Sequence, residues 1–268
     1  MMSKGPVVIE RTDLAHTWAA AFDEITQRGT GEIVPLVVCI LGFDNNIAVE
    51  DANVRSLLDK ALSTAGLQSI RTVANTIFPL SLWNPGLPAE ALFARYTRVA
   101  KKLRHYRLNR NGIYFERMVT FQPKGSDATL NQLRYVLDTR DAGNHRRSAY
   151  QISVIDPTQD DTHQHRRGFP CLQQVSVTPI ERDELAITGF YATQTMFERA
   201  YGNYVGLCDL GRFFAHYWNM RLTRVTCITS VAQLDTTNIS KTDARTLATA
   251  VKGLIPAPPE AATTLVEG

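Results

Sequence analysis

Cys171 follows Phe169-Pro170 and opens an alternating stretch in which Val175 and Val177 are separated by polar residues. Alternation of this kind predicts a strand with one buried face. A thiolate, not a thiol, is the nucleophilic form of cysteine, and nearby cations favour it. Arg166 and Arg167 precede Cys171, and Arg146 and Arg147 stand further upstream. Asn203 heads an apolar helical stretch, after a second predicted strand from Leu185 to Phe190. Its carboxamide can both donate and accept hydrogen bonds. The expectation is a pocket that joins one nucleophile and one carboxamide, carried on neighbouring elements. A packed structural cysteine is the plain alternative for Cys171, because free cysteine also fills cores well.

The elements that must position these groups read as follows. Leu14, Trp18, Phe22 and Ile25 recur at three and four, which predicts an amphipathic helix from Leu14 to Ile25. It ends at Arg28-Gly29-Thr30-Gly31, a glycine-rich loop whose backbone N–H groups and one arginine suit a phosphate. Ile33 to Leu41 is a continuous apolar run and predicts a buried strand. Helices are predicted over Asn53 to Ala65, Ser69 to Phe78, Ala89 to Tyr106 and Asn131 to Leu137. A strand follows from Gln151 to Val154, and the helix from Asn203 runs to about Met220. Leu222 to Val231 predicts the last strand, Ser240 to Val251 the last helix, and Pro256 onward a loose tail.

This order, with Pro170-Cys171 before a strand and Asn203-Tyr204 opening a long helix, resembles the thymidylate synthase and pyrimidine nucleotide hydroxymethylase family. Arg146-Arg147 precedes a strand and lies 24 residues before Cys171, which is similar to the family's arginine pair. Gly112-Ile113-Tyr114 resembles the segment whose tyrosine lines the family's pocket. The resemblance implies an α/β (α+β) fold, a mixed sheet with flanking helices, and a homodimer whose sheets pack face to face. The resemblance covers about residues 14 to 250 and implies one domain over 1–255, with 256–268 as a flexible tail. It implies a thiolate at Cys171 that adds to C6 of a pyrimidine and makes C5 nucleophilic toward a one-carbon unit. Asn203, Tyr114, Gln194, Gln233 and Asp235 would bind the substrate, while Arg28, Arg146 and Arg147 would bind its phosphate. The arginine pair would reach across the dimer.

The departures are as informative. Asn75 stands where the family places a catalytic glutamate, and an asparagine cannot exchange a proton as an acid or base. Gln233 and Asp235 replace a His-x-Tyr pair, and Thr195 stands where an arginine follows the glutamine. The C-terminal Leu-Val-Glu-Gly poorly matches the family's segment that closes over folate. Two functions follow. One is a divergent transferase acting on a pyrimidine nucleotide or related ring, with methylenetetrahydrofolate as the implied donor. The other is a non-catalytic nucleotide-binding or sensing homodimer.

The whole composition agrees with a globular chain. It has 268 residues, 44% hydrophobic and 21% charged, with a net charge of +3. That charge is too small to indicate nucleic acid. No apolar run reaches the roughly 18 residues of a membrane span, and the first residues lack a secretory core, so a cytoplasmic location is expected. Cys39, Cys171, Cys208 and Cys227 are scattered without a CxxC pair, so neither disulfides nor zinc are expected. His163 and His165 lack the further ligands a metal needs.

Overall fold

The computed structural model describes residues 5–106, 109, 112–161, 169–181 and 183–255. A mixed sheet runs through it, with six strands in the order β1-β3-β9-β8-β7-β6 and β2 paired to β9. The strands are β1 (Val7–Arg11), β2 (Glu32–Ile33), β3 (Leu36–Ile40), β6 (Gln151–Ser153), β7 (Leu172–Pro179), β8 (Glu184–Thr195) and β9 (Arg221–Gln233). A small hairpin of β4 (Phe43–Asp44) and β5 (Ile47–Ala48) stands apart. The β1-β3 and β8-β9 pairs are parallel, while β3-β9, β7-β8 and β6-β7 are antiparallel. The fold is therefore α/β with a mixed sheet.

The apolar run read as one buried strand, Ile33 to Leu41, is two strands. Pro35 has no N–H to give a ladder, so β2 and β3 separate around it. Nor is β3 buried on both faces: Leu36, Val38 and Ile40 are buried, and Val37 and Cys39 between them are half-buried. The reason is that helices cover only one face of the sheet. The helices α1 (Leu14–Thr26) and α8 (Tyr201–Tyr217) lie there. The opposite face carries Val8, which is 68% exposed, and Phe190, which is 40% exposed, beside half-buried Thr188, Thr226 and Ile228.

Local sequence explains most helix limits. Asp13 caps α1 by accepting the His16 N–H, and Asp51 caps α2 (Ala52–Thr64) by accepting those of Asn53 and Val54. Ser69 caps α3 (Ile70–Ile77), Asn131 caps α6 (Gln132–Asp141) and Ser240 caps α9 (Lys241–Lys252). Ala89–Arg104 forms α4, Tyr114–Val119 the short α5 and Pro157–Asp160 the single turn α7. One continuous core joins Trp18 and Phe22 of α1 to Tyr201, Tyr204 and Phe213 of α8 and Val175 of β7. Residues 256–268, read as a tail, lie outside the described residues.

Two helices approach with unusual closeness. Gly202 and Gly206 put the bare backbone of α8 against α3. A Cβ at Gly202 would lie 2.5 Å from Val73 Cβ, and one at Gly206 would lie 2.8 Å from the Ala74 carbonyl oxygen. The contact presents Val73 and Thr76 of α3 beside Asn203 of α8 at one cavity.

Candidate functional site

The cavity lies where β8 ends and β7 begins. Its volume is about 150 Å³, a size that in other proteins holds a single six-membered ring. Cys171, Asn203, Tyr114 and Gln194, four residues singled out by the sequence, all line it.

Cys171 sits one residue before β7, and its side chain is half-buried. The Thr193 hydroxyl donates to its Sγ at 3.5 Å. The backbone here is fixed as well. The Ala192 N–H donates to the Cys171 carbonyl at 2.9 Å, and Gln173 Nε2 donates to the Pro170 carbonyl at 2.6 Å. The Phe169–Pro170 bond is cis.

The aromatic wall depends on one glycine. Phe169 stacks on Tyr114 with ring centres 5.4 Å apart and planes 24° from parallel. A Cβ on Gly112 would lie 2.3 Å from Phe169 Cε1, and Gly112 holds φ at +146°. Only glycine satisfies both conditions cheaply. Burial pushes the Tyr114 phenol well above its ordinary range, with Cys171 adding to the shift and the N–H groups of Leu172 and Cys171 opposing it. At neutral pH it is a protonated hydrogen-bond donor.

Asn203 is not the first residue of its helix. The wide turn Met196–Ala200 has π-helical geometry and leads into α8 at Tyr201. Such turns occur often at functional sites, because the extra residue per turn redirects side chains. Here the turn brings Arg199 to the cavity wall. Its guanidinium donates to Gln68 Oε1 at 2.6 Å and pairs with Glu198 at 2.6 Å. Among the described residues, Arg199 is the one charged side chain in the lining.

Other expected site residues stand elsewhere. Asn75 is not among the lining residues, although Val73 and Thr76 on the same helix are, because the helical repeat turns it to another face; its Oδ1 is buried without a partner. Arg28, just past the end of α1, is turned back onto Glu24 of that helix at 3.0 Å, with its side chain 8% exposed. Its loop packs beside Leu234, whose N–H donates to the Gly31 carbonyl. Gln233 donates to Glu32 across the β2-β9 pair at 3.2 Å. Asp235 closes a turn by accepting the Thr237 N–H. Neither lines the cavity. Arg146 and Arg147 are exposed before β6, and Arg147 donates to the Ile180 carbonyl. Arg166, Arg167, His163 and His165 lie outside the described residues.

Sequence reasoning missed Arg199, Gln68, Thr193 and Thr195 as lining residues. Thr193 and Thr195 flank Gln194 on β8, and the extension of that strand beyond Phe190 would have found them. A π-helical turn leaves no simple period, so nothing in the spacing marked Arg199.

A neighbouring cavity of about 300 Å³ shares Gly112 and Ile113 with the first. Arg104, Arg117, Lys124 and Gln122 line it, and no aromatic residue does among those described. Among the described residues there is no group of three or more His, Cys, Asp or Glu placed to hold a metal, and no helix is long and apolar enough to cross a membrane. In comparisons with known proteins, no family model matches the chain and no curated protein sequence matches it.

Proposed function

We propose that this protein is a divergent thymidylate synthase-like transferase in which the Cys171 thiolate activates a pyrimidine nucleotide, or a related ring, at C5 for methylation or hydroxymethylation. The observation that carries this reading is the convergence of Cys171, Asn203, Gln194 and Tyr114 on one ring-sized cavity. The four come from four places in the fold, α5, the start of β7, β8 and α8, and Thr193 donates to the sulfur.

In this reading Sγ bonds to C6 of the ring, and the electron pair of the C5–C6 double bond moves toward O4. Amide donors hold the developing oxyanion more strongly than the neutral carbonyl, which lowers the barrier. C5 then bonds to a one-carbon electrophile: for methylation the methyl's bond to its carrier breaks and the carrier leaves with the electron pair, and for hydroxymethylation the carbonyl pair moves to oxygen, which takes a proton from water. Water takes the C5 proton, and the Sγ–C6 bond breaks with its electron pair returning to sulfur, which restores the C5–C6 double bond. Tyr114, protonated at neutral pH, serves as a hydrogen-bond donor in the cavity.

The nucleotide's phosphate would meet Arg199 at the wall. The exposed arginines, Arg146 and Arg147, would serve a second copy, with the two copies packed through their open sheet faces. That face carries Val8, Phe190 and Ile228 among Thr and Ser residues. A C2 contact of this kind is self-complementary.

A second reading, a non-catalytic nucleotide-binding homodimer, draws support from one observation. No carboxylate or histidine is among the described lining residues, so no ordinary proton acceptor faces the ring. The test is tritium release from C5 of labelled uridine and cytidine nucleotides, by wild type and Cys171→Ser. Release that requires Cys171 supports the transferase. Tight binding without release supports the binder, and neither binding nor release refutes both readings.

A further inference from the structure

The cavity beside the candidate site has a chemistry of its own. The end of α4 brings Arg104 to it, α5 brings Arg117, and the loop after α5 brings Lys124. These three cations share the described lining with one carboxylate, Glu116. That carboxylate accepts from Arg104 Nε at 2.6 Å. Arg117 is held from behind. Asp160, which is not in the lining and whose side chain is 1% exposed, takes two of its five N–H donors at 3.0 and 3.2 Å. A guanidinium pinned in this way has little side-chain freedom left to lose when an anion binds.

Lys124 is exposed and makes no ion pair among the described residues. Its loop is tied down. The Gln122 amide donates to the Ser126 carbonyl at 2.7 Å, and the Ser126 N–H donates to the Pro123 carbonyl at 3.1 Å. Gly125 makes this turn with φ at +79°, and Phe121 and Leu130 close the base of the loop by a two-way backbone pair.

This arrangement selects its ligand by charge. A cation would be repelled. An uncharged polar molecule would leave the excess positive charge unmatched. An oxyanion would accept from all three cations in charge-assisted bonds, which are stronger than neutral ones. The cavity's volume of about 300 Å³ is at the small end of ligand sites, so the molecule that carries the oxyanion is small.

We propose that this second cavity binds the phosphate group of a small phosphorylated molecule, at a site distinct from the wall at Arg199. The inference is independent of the pyrimidine reading. The tighter phosphate site is expected here, because the first cavity's described lining offers one cation, Arg199, which is already paired with Glu198. Gly112 and Ile113 border both cavities. The phosphate therefore has two sources with the same chemistry, the ring ligand itself and a second molecule bound beside it.

The test is calorimetric titration of the full chain with inorganic phosphate at constant ionic strength. Wild type should bind it. Lys124→Met should weaken binding by about fivefold, the top of the range for one exposed charge pair, and Lys124→Glu should weaken it further. Lys124→Arg, which keeps the charge, should stay within about twofold of wild type, and so should Arg199→Met, which lies in the other cavity. Uridine and uridine 5′-monophosphate then identify the source. If the phosphate belongs to the ring ligand, saturating inorganic phosphate should weaken the monophosphate and not the nucleoside. If it belongs to a second molecule, neither should change. Absence of phosphate binding, or phosphate binding that survives Lys124→Glu or is lost in Arg199→Met, overturns the proposal. Failure of both uridine ligands to bind overturns the pyrimidine reading and leaves the phosphate site standing.

Discussion

Replacing Gly206 by alanine tests whether the cavity wall is built by the close approach of α8 to α3. On an exposed helix the change would stabilise the chain by up to about 1 kcal/mol, because alanine loses less conformational freedom. At Gly206 the new methyl would lie 2.8 Å from the Ala74 carbonyl oxygen and 2.8 Å from Ile77 Cβ. Neither atom is the end of a flexible side chain, so the two helices must part. Overpacking of this kind costs about 1 to 3 kcal/mol. With backbone in the way, the upper part of that range applies, and the net loss is about 1 to 2 kcal/mol after the helical gain is subtracted. Gly211→Ala is the internal control. Its methyl would meet Ile187 Cγ1 and the Leu222 methyl groups at 2.9 Å, and these can rotate away. Its net effect should stay below about 1 kcal/mol. Urea unfolding, read as midpoint shifts at constant slope, measures both. A Gly206→Ala variant as stable as wild type would refute the argument, because helix propensity would then outweigh a contact that is not as close as described.

Three further outcomes are expected. Arg199→Met should weaken a nucleotide monophosphate by about tenfold or more while leaving the nucleoside unchanged, since a charge-assisted bond contributes roughly 1.5 to 3 kcal/mol; equal losses for both ligands in parallel titrations would refute an anion-binding role. Arg117→Met should destabilise the fold by about 1 to 3 kcal/mol in urea unfolding, because it takes the guanidinium away from the Asp160 carboxylate, whose side chain is 1% exposed and which also accepts the Asp156 N–H; Asp160→Asn in the same chain should recover part of the loss. The third concerns acid. The Thr158 hydroxyl holds Asp156 below 3.8, with help from Gln159, and the Asn53 N–H holds Asp51 below 3.8, with help from His16. The unfolded chain therefore takes up these protons first as pH falls. Their contribution is full above about pH 5 and is lost as pH falls below about 4. Unfolding midpoints should fall between pH 5 and pH 3, and less steeply in Asp156→Asn.

The fold was legible where one physical signal dominated. Trp18, Phe22 and Ile25 announce α1, and Asp51 with Gly66 brackets α2, since a capping carboxylate and a glycine at φ +69° mark its two ends. The alternation around Val175 and Val177 announced β7. Other elements carried no such signal. The strand β1 is five residues long, with only Ile9 buried, so its apolar pattern is too short to read. The predicted strand from Leu185 to Phe190 continues to Thr195, because parallel pairing with β9 extends the ladder beyond the apolar run. Of the expected site, the residues in direct line with the cysteine were legible, and those placed by helical phase were not. Asn75 illustrates the second case, since its neighbour Thr76 faces the cavity.

The change from Thr195 to Arg199 shows how position in a chain and position in space can separate. The resemblance expects a cation directly after Gln194, and Thr195 offers none. Four residues later the wide turn returns the chain to the same wall with Arg199, held by Gln68 and Glu198. A strand would have carried that residue about 13 Å further on, at 3.3 Å per residue. The π-helical turn shortens the path and keeps the charge at the cavity. Nothing comparable stands in for the glutamate that the resemblance expects at Asn75, because none of the described lining residues is a carboxylate or histidine. The two departures therefore differ in kind. The first is compatible with an anionic substrate held in a new way. The second bears on turnover alone, and it makes C5 exchange, more than binding, the property that separates a transferase from a nucleotide sensor.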